Sequence, residues 1–197
     1  FHVANSGRPG PVLVDIPKDV QFKKGIYKTS KEVVVETYKP KVKAELTDIE
    51  KAVELIVKSK KPIIYSGGGV INAGTKAADA LTEFTRITNF PITSTLQGLG
   101  AFPGSDPQFV GMLGMHGTYE ANNAMHECDL MINIGARFDD RITGRVDAIS
   151  PDSKKIHIDI DPSSINKIVK VDVAIVGDCL SVLSDMLTTL KHKHSDF

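Results

Sequence analysis

The fold is indicated first by the stretch Pro62-Ile63-Ile64-Tyr65-Ser66-Gly67-Gly68-Gly69, a short apolar run that ends in three glycines. The apolar run is typical of a buried β-strand, and the glycines are typical of a tight turn into a following helix. A helix is predicted before the run, because Thr47 and Glu50 have the spacing of a capping box and begin a segment with one apolar face. A second helix is predicted over residues 75–88, which gives the order helix, strand, helix.

Further short apolar strands follow along the chain and alternate with helices. Such alternation is typical of parallel βαβ units. We therefore expect an α/β fold, a Rossmann-like six-stranded parallel sheet with helices on both faces. The Gly-rich residues 98–117 are expected to form loops, and residues 118–128 a helix. The strands that the pattern indicates lie at residues 91–95, 130–134, 156–160 and 171–176.

The first 45 residues differ in composition from the rest. Residues 11–17 carry a strand signal bounded by prolines, although a single strand cannot bury both of its faces. The chain does not begin with Met, and we expect it to be a piece of a longer protein. We expect residues 1–20 to be the tail end of a preceding domain, 21–45 a linker, 46–191 the main domain and 192–197 a tail.

The overall composition argues against several classes of protein. The chain has 197 residues, with 24 Lys and Arg against 24 Asp and Glu, so its formal net charge is zero. Balanced charge argues against nucleic-acid binding and against a polybasic membrane-surface protein. No apolar run approaches the roughly 18 residues of a membrane span. The two cysteines, Cys128 and Cys179, are expected to be core residues in a reducing compartment, so we expect a soluble, cytoplasmic protein.

Glycines, arginines and acids follow the predicted strands, where an open parallel sheet binds its ligands. The glycines at 67–69 let a ligand approach the backbone, or they simply form a tight turn. Arg137, Arg141 and Arg145 are spaced by four and share a face if their segment is helical. Three arginines suit a diphosphate, whereas the alternative is a solvated loop of Arg–Asp pairs.

Other signals at the strand ends are weaker. A dinucleotide fingerprint that begins at Gly67 requires glycine at position 72, where Asn72 stands. Asp159 either accepts hydrogen bonds from a ribose or adenine, or lies on the polar face of a half-exposed strand. Met115 and His116 lie in a Gly-flanked loop that either aims them into a cleft or packs them locally. With no nucleophile–base–acid set and no metal site in the pattern, we expect a dinucleotide or nucleotide binder without obvious catalytic residues.

Several stretches of the sequence resemble a known family. Residues 6–12 and 15–19 resemble the end of the pyrimidine-binding domain of thiamine-diphosphate-dependent enzymes, and residues 61–177 resemble their central domain. Within that superfamily, Gly135-Ala136-Arg137-Phe138-Asp139-Asp140-Arg141-Ile142-Thr143-Gly144 resembles the FAD-binding catalytic large subunit of the acetolactate synthase (acetohydroxyacid synthase) family. The motifs at residues 113–117 and 95–100 agree with that resemblance.

The resemblance implies an activity for the parent enzyme. That family joins pyruvate to a second pyruvate or to 2-ketobutyrate with loss of CO2, in branched-chain amino-acid biosynthesis. FAD lies in the central domain and is not consumed by the net reaction. Thiamine diphosphate and Mg²⁺ belong to the full-length enzyme, because the glutamate that activates thiamine and the Gly-Asp-Gly…Asn motif do not occur here. We therefore expect the chain alone to be inactive, with no catalytic and no metal-binding residue of its own.

The resemblance also implies site residues and partners. Met115, Asp140 and Arg141 would border the substrate channel. The partners would be 2-ketoacids, a homodimer or tetramer of catalytic subunits and a regulatory small subunit, with neither nucleic acid nor membrane. The alternatives are a central domain of the glyoxylate carboligase or pyruvate oxidase type, and a non-catalytic module that binds ADP or FAD. The FAD contacts would be Arg8, Gly67, Gly68, Gly69, Thr95, Leu96, Gln97, Leu113, Gly114, Met115, His116, Gly135, Ala136, Arg137, Asp139, Arg141, Ile142, Asp159, Ile160 and Asp178.

Overall fold

A computed structural model describes residues 1–29 and 35–193. The strands are β1 (Pro62–Ser66), β2 (Ile92–Ser94), β3 (Phe109–Met112), β4 (Leu130–Ile134), β5 (Lys154–Asp159) and β6 (Val173–Val176). The α-helices are α1 (His2–Asn5), α2 (Lys18–Gln21), α3 (Leu46–Lys58), α4 (Gly68–Asn72), α5 (Thr75–Thr88), α6 (Tyr119–Glu127), α7 (Asp140–Thr143) and α8 (Cys179–Lys193). Short 3-10 turns lie at Leu96–Gly98 and Val146–Ala148. None of the helices in the described ranges is long and apolar enough to cross a membrane.

The six strands form one parallel sheet in the order β3-β2-β1-β4-β5-β6. This confirms the predicted α/β class and six-stranded parallel sheet. The chain runs outward from β1 to β3 and then returns to the centre, so β1 and β4 are neighbours from opposite halves. In sheets of this order the direction reverses between these two strands, and a crevice opens at their carboxyl ends.

Two apolar cores cover the two faces of the sheet. Helices α3, α5 and α8 pack on one face, where Ile56, Phe84 and Leu183 are fully buried. The other face is covered by α6 and by the segment after β4, with Met131 and Phe138 at its centre. The predicted placement of helices on both faces is therefore confirmed. Cys128 and Cys179 are buried free thiols, one in each core.

The sixth strand lies where the sequence predicted loops. Strand β3 falls within the Gly-rich residues 98–117 and pairs only with β2, at the edge of the sheet. All four of its residues are half-buried, and Gly111 has a φ of +95°. The prediction was wrong because a short edge strand interrupted by glycine lacks the continuous apolar run that marks the inner strands.

Two further local predictions need correction. Helix α3 begins at Leu46 with Glu45 as its N-cap residue, so the predicted start at Thr47 was late. Strand β5 is not half-exposed. It lies between β4 and β6, and Lys155, His157 and Asp159 on its polar-patterned face are buried beneath the segments that follow β4. The alternation of residue types along β5 therefore marks two buried faces of different polarity.

The first 29 residues lie outside the two cores. The strand predicted over residues 11–17 does not form, since no strand of the described residues lies beside it to complete its hydrogen bonds. Its Leu13 is 93% exposed, and neither of the two described helices α1 and α2 contains a buried residue. Residues 30–34 of the predicted linker and residues 194–197 of the predicted tail (192–197) lie outside the described residues.

Candidate functional site

A cleft of about 470 Å³ opens at the carboxyl ends of β1 and β4, where the strand order reverses. Most of the site residues expected from the sequence line it. Those that line it are Arg8, Gly68, Gly69, Thr95, Leu96, Gln97, Gly135, Ala136, Arg137, Asp139, Arg141, Ile142, Asp159, Ile160 and Asp178. Lining residues that the sequence did not indicate are Gly7, Pro9, Ile71, Asn72, Ala73 and Cys179.

The floor of the cleft is made by two glycine turns in direct backbone contact. In the turn after β1, the Gly67 amide donates a hydrogen bond to the Ile134 carbonyl, and the Gly69 amide donates one to the Gly135 carbonyl, both at 2.9 Å. A Cβ on Gly67 would lie 2.3 Å from the Gly135 oxygen, and one on Gly69 would lie 2.6 Å from the Gly135 Cα. The two turns can contact each other only because their glycines carry no side chain. For the same reason their backbone is open to the cleft.

A third turn closes the β2 side of the floor. The Thr95 hydroxyl caps the turn at Leu96–Gly98 by accepting a hydrogen bond from the Gly98 amide at 3.0 Å. A Cβ on Gly98 would lie 2.7 Å from the Ser66 carbonyl oxygen. The turn after β2 is thereby held against the end of β1, which brings the backbone and side chain of Gln97 to the rim opposite Gly68.

The three arginines do not share a helix face as the sequence suggested. Only α7, residues 140–143, is helical, because Gly144 ends it with a φ of +52°. Each guanidinium instead has a nearby carboxylate: Arg137 binds Asp139 at 2.9 Å, Arg141 lies 3.8 Å from Asp140, and Arg145 binds Asp147 at 2.6 Å. Arg137 and Arg141 still line the cleft, whereas Arg145 does not.

The acids of the cleft have different environments. Burial raises the pKa of Asp159, whose Oδ1 accepts a hydrogen bond from the Asp161 amide at 2.9 Å. Asp178 accepts hydrogen bonds from two amides in the first turn of α8, at 3.0 and 3.3 Å. Asp139 is already paired with Arg137. Arg8 and Arg141 contact carboxylates only at longer distances, 3.5 and 3.8 Å. Their guanidinium groups therefore keep the most bonding capacity for a ligand.

Arg8 joins the first segment of the chain to this cleft. Its Nη1 lies 3.5 Å from Asp161 Oδ2 and 3.5 Å from the Ser164 hydroxyl, in the loop after β5. Its side chain is 43% exposed, so the contact fixes its position at the rim without burying the charge. The Asp161 carboxylate, held by Ser163, is the anchor of this contact.

The loop at residues 113–117 lies beside the cleft rather than in its lining. Leu113 is buried in the core, whereas the Met115 and His116 side chains are exposed. The side chain of Asn122 holds Gly114 through two hydrogen bonds, at 2.8 and 3.1 Å. The Met115 amide also donates to the Arg141 carbonyl at 2.8 Å. This loop therefore supports α7, and through it the position of Arg141.

The segment after β4 is held from below by buried polar side chains, Tyr65 and His157, that the sequence pattern did not indicate as site residues. The Tyr65 hydroxyl donates to the Arg137 carbonyl at 3.2 Å, and the His157 ring contacts the Ala136 carbonyl at 2.8 Å through Nε2. Burial lowers the pKa of His157 to about 4, so the ring is neutral and Nε2 carries the donated proton. In the sequence, Tyr65 and His157 appear only as polar residues within apolar strands. The same pattern is typical of a strand with one exposed face, so it does not indicate a buried role.

The arrangement offers binding groups rather than an acid–base set. Within residues 1–29 and 35–193, no group of three or more His, Cys, Asp or Glu side chains has the geometry of a metal site. Burial raises the pKa of the Cys179 thiol at the cleft to about 12, which makes it a poor nucleophile. The cleft therefore combines open backbone, two available guanidinium groups and a few acceptors.

Comparison with known proteins points to one family. The family model for the central domain of thiamine pyrophosphate enzymes matches residues 49–186. The acetolactate synthase large subunit of Haemophilus influenzae is 48% identical over 196 residues, which cover 98% of this chain and 34% of that protein. The acetolactate synthase large subunit of Corynebacterium glutamicum is 49% identical over 191 residues, which cover 97% of this chain and 30% of that protein. The chain thus spans about a third of the length of the curated relatives it matches.

Proposed function

The chain belongs to the family of thiamine pyrophosphate enzyme central domains, and we propose that it is the FAD-binding central domain of an acetolactate synthase large subunit. The observation that carries the proposal is the cleft at the strand-order reversal, lined by glycine backbone and by Arg137 and Arg141. Relatives with 48% and 49% identity carry the name acetolactate synthase large subunit, which favours this member of the superfamily. The same match disfavours the glyoxylate carboligase and pyruvate oxidase alternatives.

The residues of the cleft fit the chemistry of FAD. A volume of about 470 Å³ lies within the range of roughly 300–1,000 Å³ that is usual for cofactor pockets. The glycines at 68 and 69 let a bulky diphosphate approach the backbone, and guanidinium groups suit its charge through forked hydrogen bonds. Arg8 and Arg141 have the free bonding capacity for that role. The Asp159 carboxylate lines the cleft and can accept a hydrogen bond from a ribose or adenine donor.

The protein's own groups bind and orient rather than react. When bound, FAD supplies an isoalloxazine ring that the net reaction of the family does not consume. Asp178 is occupied in capping α8, and Thr95 in capping its own turn, so both act by shaping the cleft. Leu113 supports the cleft from the core, and Gly114 leaves room for the Arg141 carbonyl, which would lie 2.6 Å from a Cβ at position 114. We propose that Met115, Asp140 and Arg141 border the substrate channel; of these three, Arg141 is the one that lines the cleft.

We assign the activity of the relatives to the whole protein. The whole protein would join pyruvate to a second 2-ketoacid with release of CO2, and thiamine diphosphate and Mg²⁺, held outside this chain, would supply the chemistry. We further propose a cytoplasmic enzyme with catalytic subunits in a dimer or tetramer and a regulatory small subunit. The role of this chain within it is to hold FAD and to form one side of the substrate channel.

The proposal is tested by identifying the cofactor that the protein carries. The whole protein is purified, denatured, and the released small molecules are separated by chromatography against FAD, FMN and ADP standards. We expect about one FAD per chain and the visible absorption bands of a flavin before denaturation. Release of ADP alone would favour the non-catalytic nucleotide-binding alternative, and FMN or no nucleotide would contradict the proposal.

A further inference from the structure

Three buried polar side chains form a row across the centre of the sheet. Tyr65 of β1, Asn133 of β4 and His157 of β5 are paired in register, Tyr65 with Asn133 and Asn133 with His157. All three are 0% exposed, although their neighbours along each strand are mainly apolar. Since paired residues of adjacent parallel strands point to the same face, the three side chains lie side by side under the segment that follows β4.

The hydrogen bonds of this row converge on two consecutive residues of that segment. The Ala136 amide donates to Asn133 Oδ1 at 3.1 Å, and the Ala136 carbonyl accepts from His157 Nε2 at 2.8 Å. The Arg137 carbonyl accepts from the Tyr65 hydroxyl at 3.2 Å. Both polar groups of one peptide unit and the carbonyl of the next are therefore fixed from below.

Ring packing adds a second constraint at the same place. The Phe138 ring lies between the other two rings, with centroids 6.1 Å from Tyr65 and 5.3 Å from His157, the latter at an angle of 80°. Edge-to-face packing of this kind favours one orientation of the ring. The residues on either side of Phe138 are Arg137 and Asp139, which both line the cleft. The buried row and the ring thus set the direction in which the cleft residues point.

We propose that Tyr65, Asn133 and His157 are positioning residues that fix the backbone at 136–137 and thereby set the affinity of the cleft for its cofactor. The inference rests on the proposed function for the identity of the ligand, a flavin dinucleotide. None of the three is itself a lining residue of the cleft. Their effect on binding is transmitted through Ala136 and Arg137, which they contact, and through Phe138. Their burial makes the arrangement rigid, because a broken bond would leave a polar group without water.

Matched variants of the whole protein separate this role from general stability. Tyr65→Phe removes one hydroxyl and keeps the ring, and His157→Leu removes the ring donor. His157→Gln is the conservative variant, because its amide nitrogen can reach the same carbonyl. The control is Thr85→Val in α5, which removes a buried hydroxyl bonded to the Leu81 carbonyl at 2.8 Å on the opposite face of the sheet.

The readouts are FAD affinity of the apoprotein, circular dichroism of the bound flavin and the unfolding midpoint. We expect Tyr65→Phe and His157→Leu to weaken FAD binding by about 3- to 10-fold and to change the flavin dichroism. His157→Gln and Thr85→Val should stay within about 2-fold of the wild type, although Thr85→Val lowers the unfolding midpoint. If Thr85→Val weakens FAD binding as much as Tyr65→Phe, or if His157→Gln is as weak as His157→Leu, the positioning role is refuted.

Hydrogen exchange keeps the inference testable if the wild type binds no flavin. A wild type that binds no flavin would contradict the proposed function. The exchange rate of the Ala136 amide would still report on the row of Tyr65, Asn133 and His157, because it does not depend on a ligand. We expect this amide to exchange faster in Tyr65→Phe than in Thr85→Val at matched global stability. Equal rates in the two variants would overturn the positioning role whatever the ligand is.

Discussion

Replacing Gly67 by alanine tests how the floor of the cleft is built. The added Cβ would lie 2.3 Å from the Gly135 oxygen and 2.5 and 2.6 Å from Ala136 Cβ and Cα. Two of these three atoms are backbone, so no side chain can rotate away to relieve the contact. The two turns must separate, which strains the bonds that join them from the Gly67 and Gly69 amides.

The expected loss of stability follows from these contacts. Forcing an extra carbon into a packed site costs about 1–3 kcal/mol, and one weakened backbone hydrogen bond adds about 1 kcal/mol. We expect Gly67→Ala to lower the free energy of unfolding by about 2–4 kcal/mol, measured by urea denaturation of the whole protein. The same variant should bind FAD at least about 10-fold more weakly than the wild type, since the second turn carries Arg137.

Gly104→Ala is the matched control, because a Cβ there meets nothing within 4 Å. That variant should be neutral or gain up to about 1 kcal/mol through a less flexible unfolded chain. If Gly67→Ala changes the free energy of unfolding by less than about 0.5 kcal/mol with unaltered FAD binding, the two turns do not depend on backbone contact. The account of the cleft floor would then be wrong.

Three further predictions concern the arginines, a buried histidine and the isolated chain. Arg141→Ala should weaken FAD binding about 10- to 150-fold in titrations of the apoprotein. Arg145→Ala loses only its pair with Asp147 outside the cleft lining, so its FAD affinity should stay within about 3-fold of the wild type. Equal effects of the two substitutions would refute the role of Arg141 in holding FAD. Burial lowers the pKa of His157 to about 4, so as the pH falls from about 6.5 to 4 the unfolded state takes up a proton that the folded state does not. Between pH 7 and pH 4, the free energy of unfolding of the wild type, measured in urea titrations, should therefore fall by up to about 3 kcal/mol more than that of His157→Gln. The same difference between the two proteins at both pH values would contradict this. The purified chain, incubated with pyruvate, thiamine diphosphate and Mg²⁺, should form no acetolactate, and detectable product would show that the catalytic groups are present after all.

Most of the sheet was predictable from the sequence because its inner strands are buried on both faces. The strand at residues 130–134 and the helix at 75–88 were located at the observed bounds, since apolar runs and one-sided helices leave a strong pattern. Strand β3 left no such pattern, because it pairs on one side only and contains Gly111. The strand predicted at residues 11–17 shows the opposite failure: the pattern is present, but pairing depends on a neighbour that a local pattern cannot reveal.

The position of the cleft was also predictable, whereas its internal connections were not. Glycines and arginines after strand ends indicate a site at one sheet edge, and the resemblance to a family supplied most of the lining residues. Gly144 ends α7 after one turn, so Arg145 lies outside the helix and pairs with Asp147, which the spacing of the arginines does not reveal. The roles of Tyr65 and His157 depend on the register of three strands, and a polar residue in a strand does not by itself reveal which face is buried.

The most direct measurement is a crystal structure of the whole protein grown with FAD. We predict flavin density in the cleft between the glycine turns at the ends of β1 and β4, with the diphosphate within hydrogen-bond distance of the Gly68 backbone or the Arg141 guanidinium. Density for FAD at any other place on this domain, or a cleft that stays free of nucleotide at saturating FAD, would contradict the account.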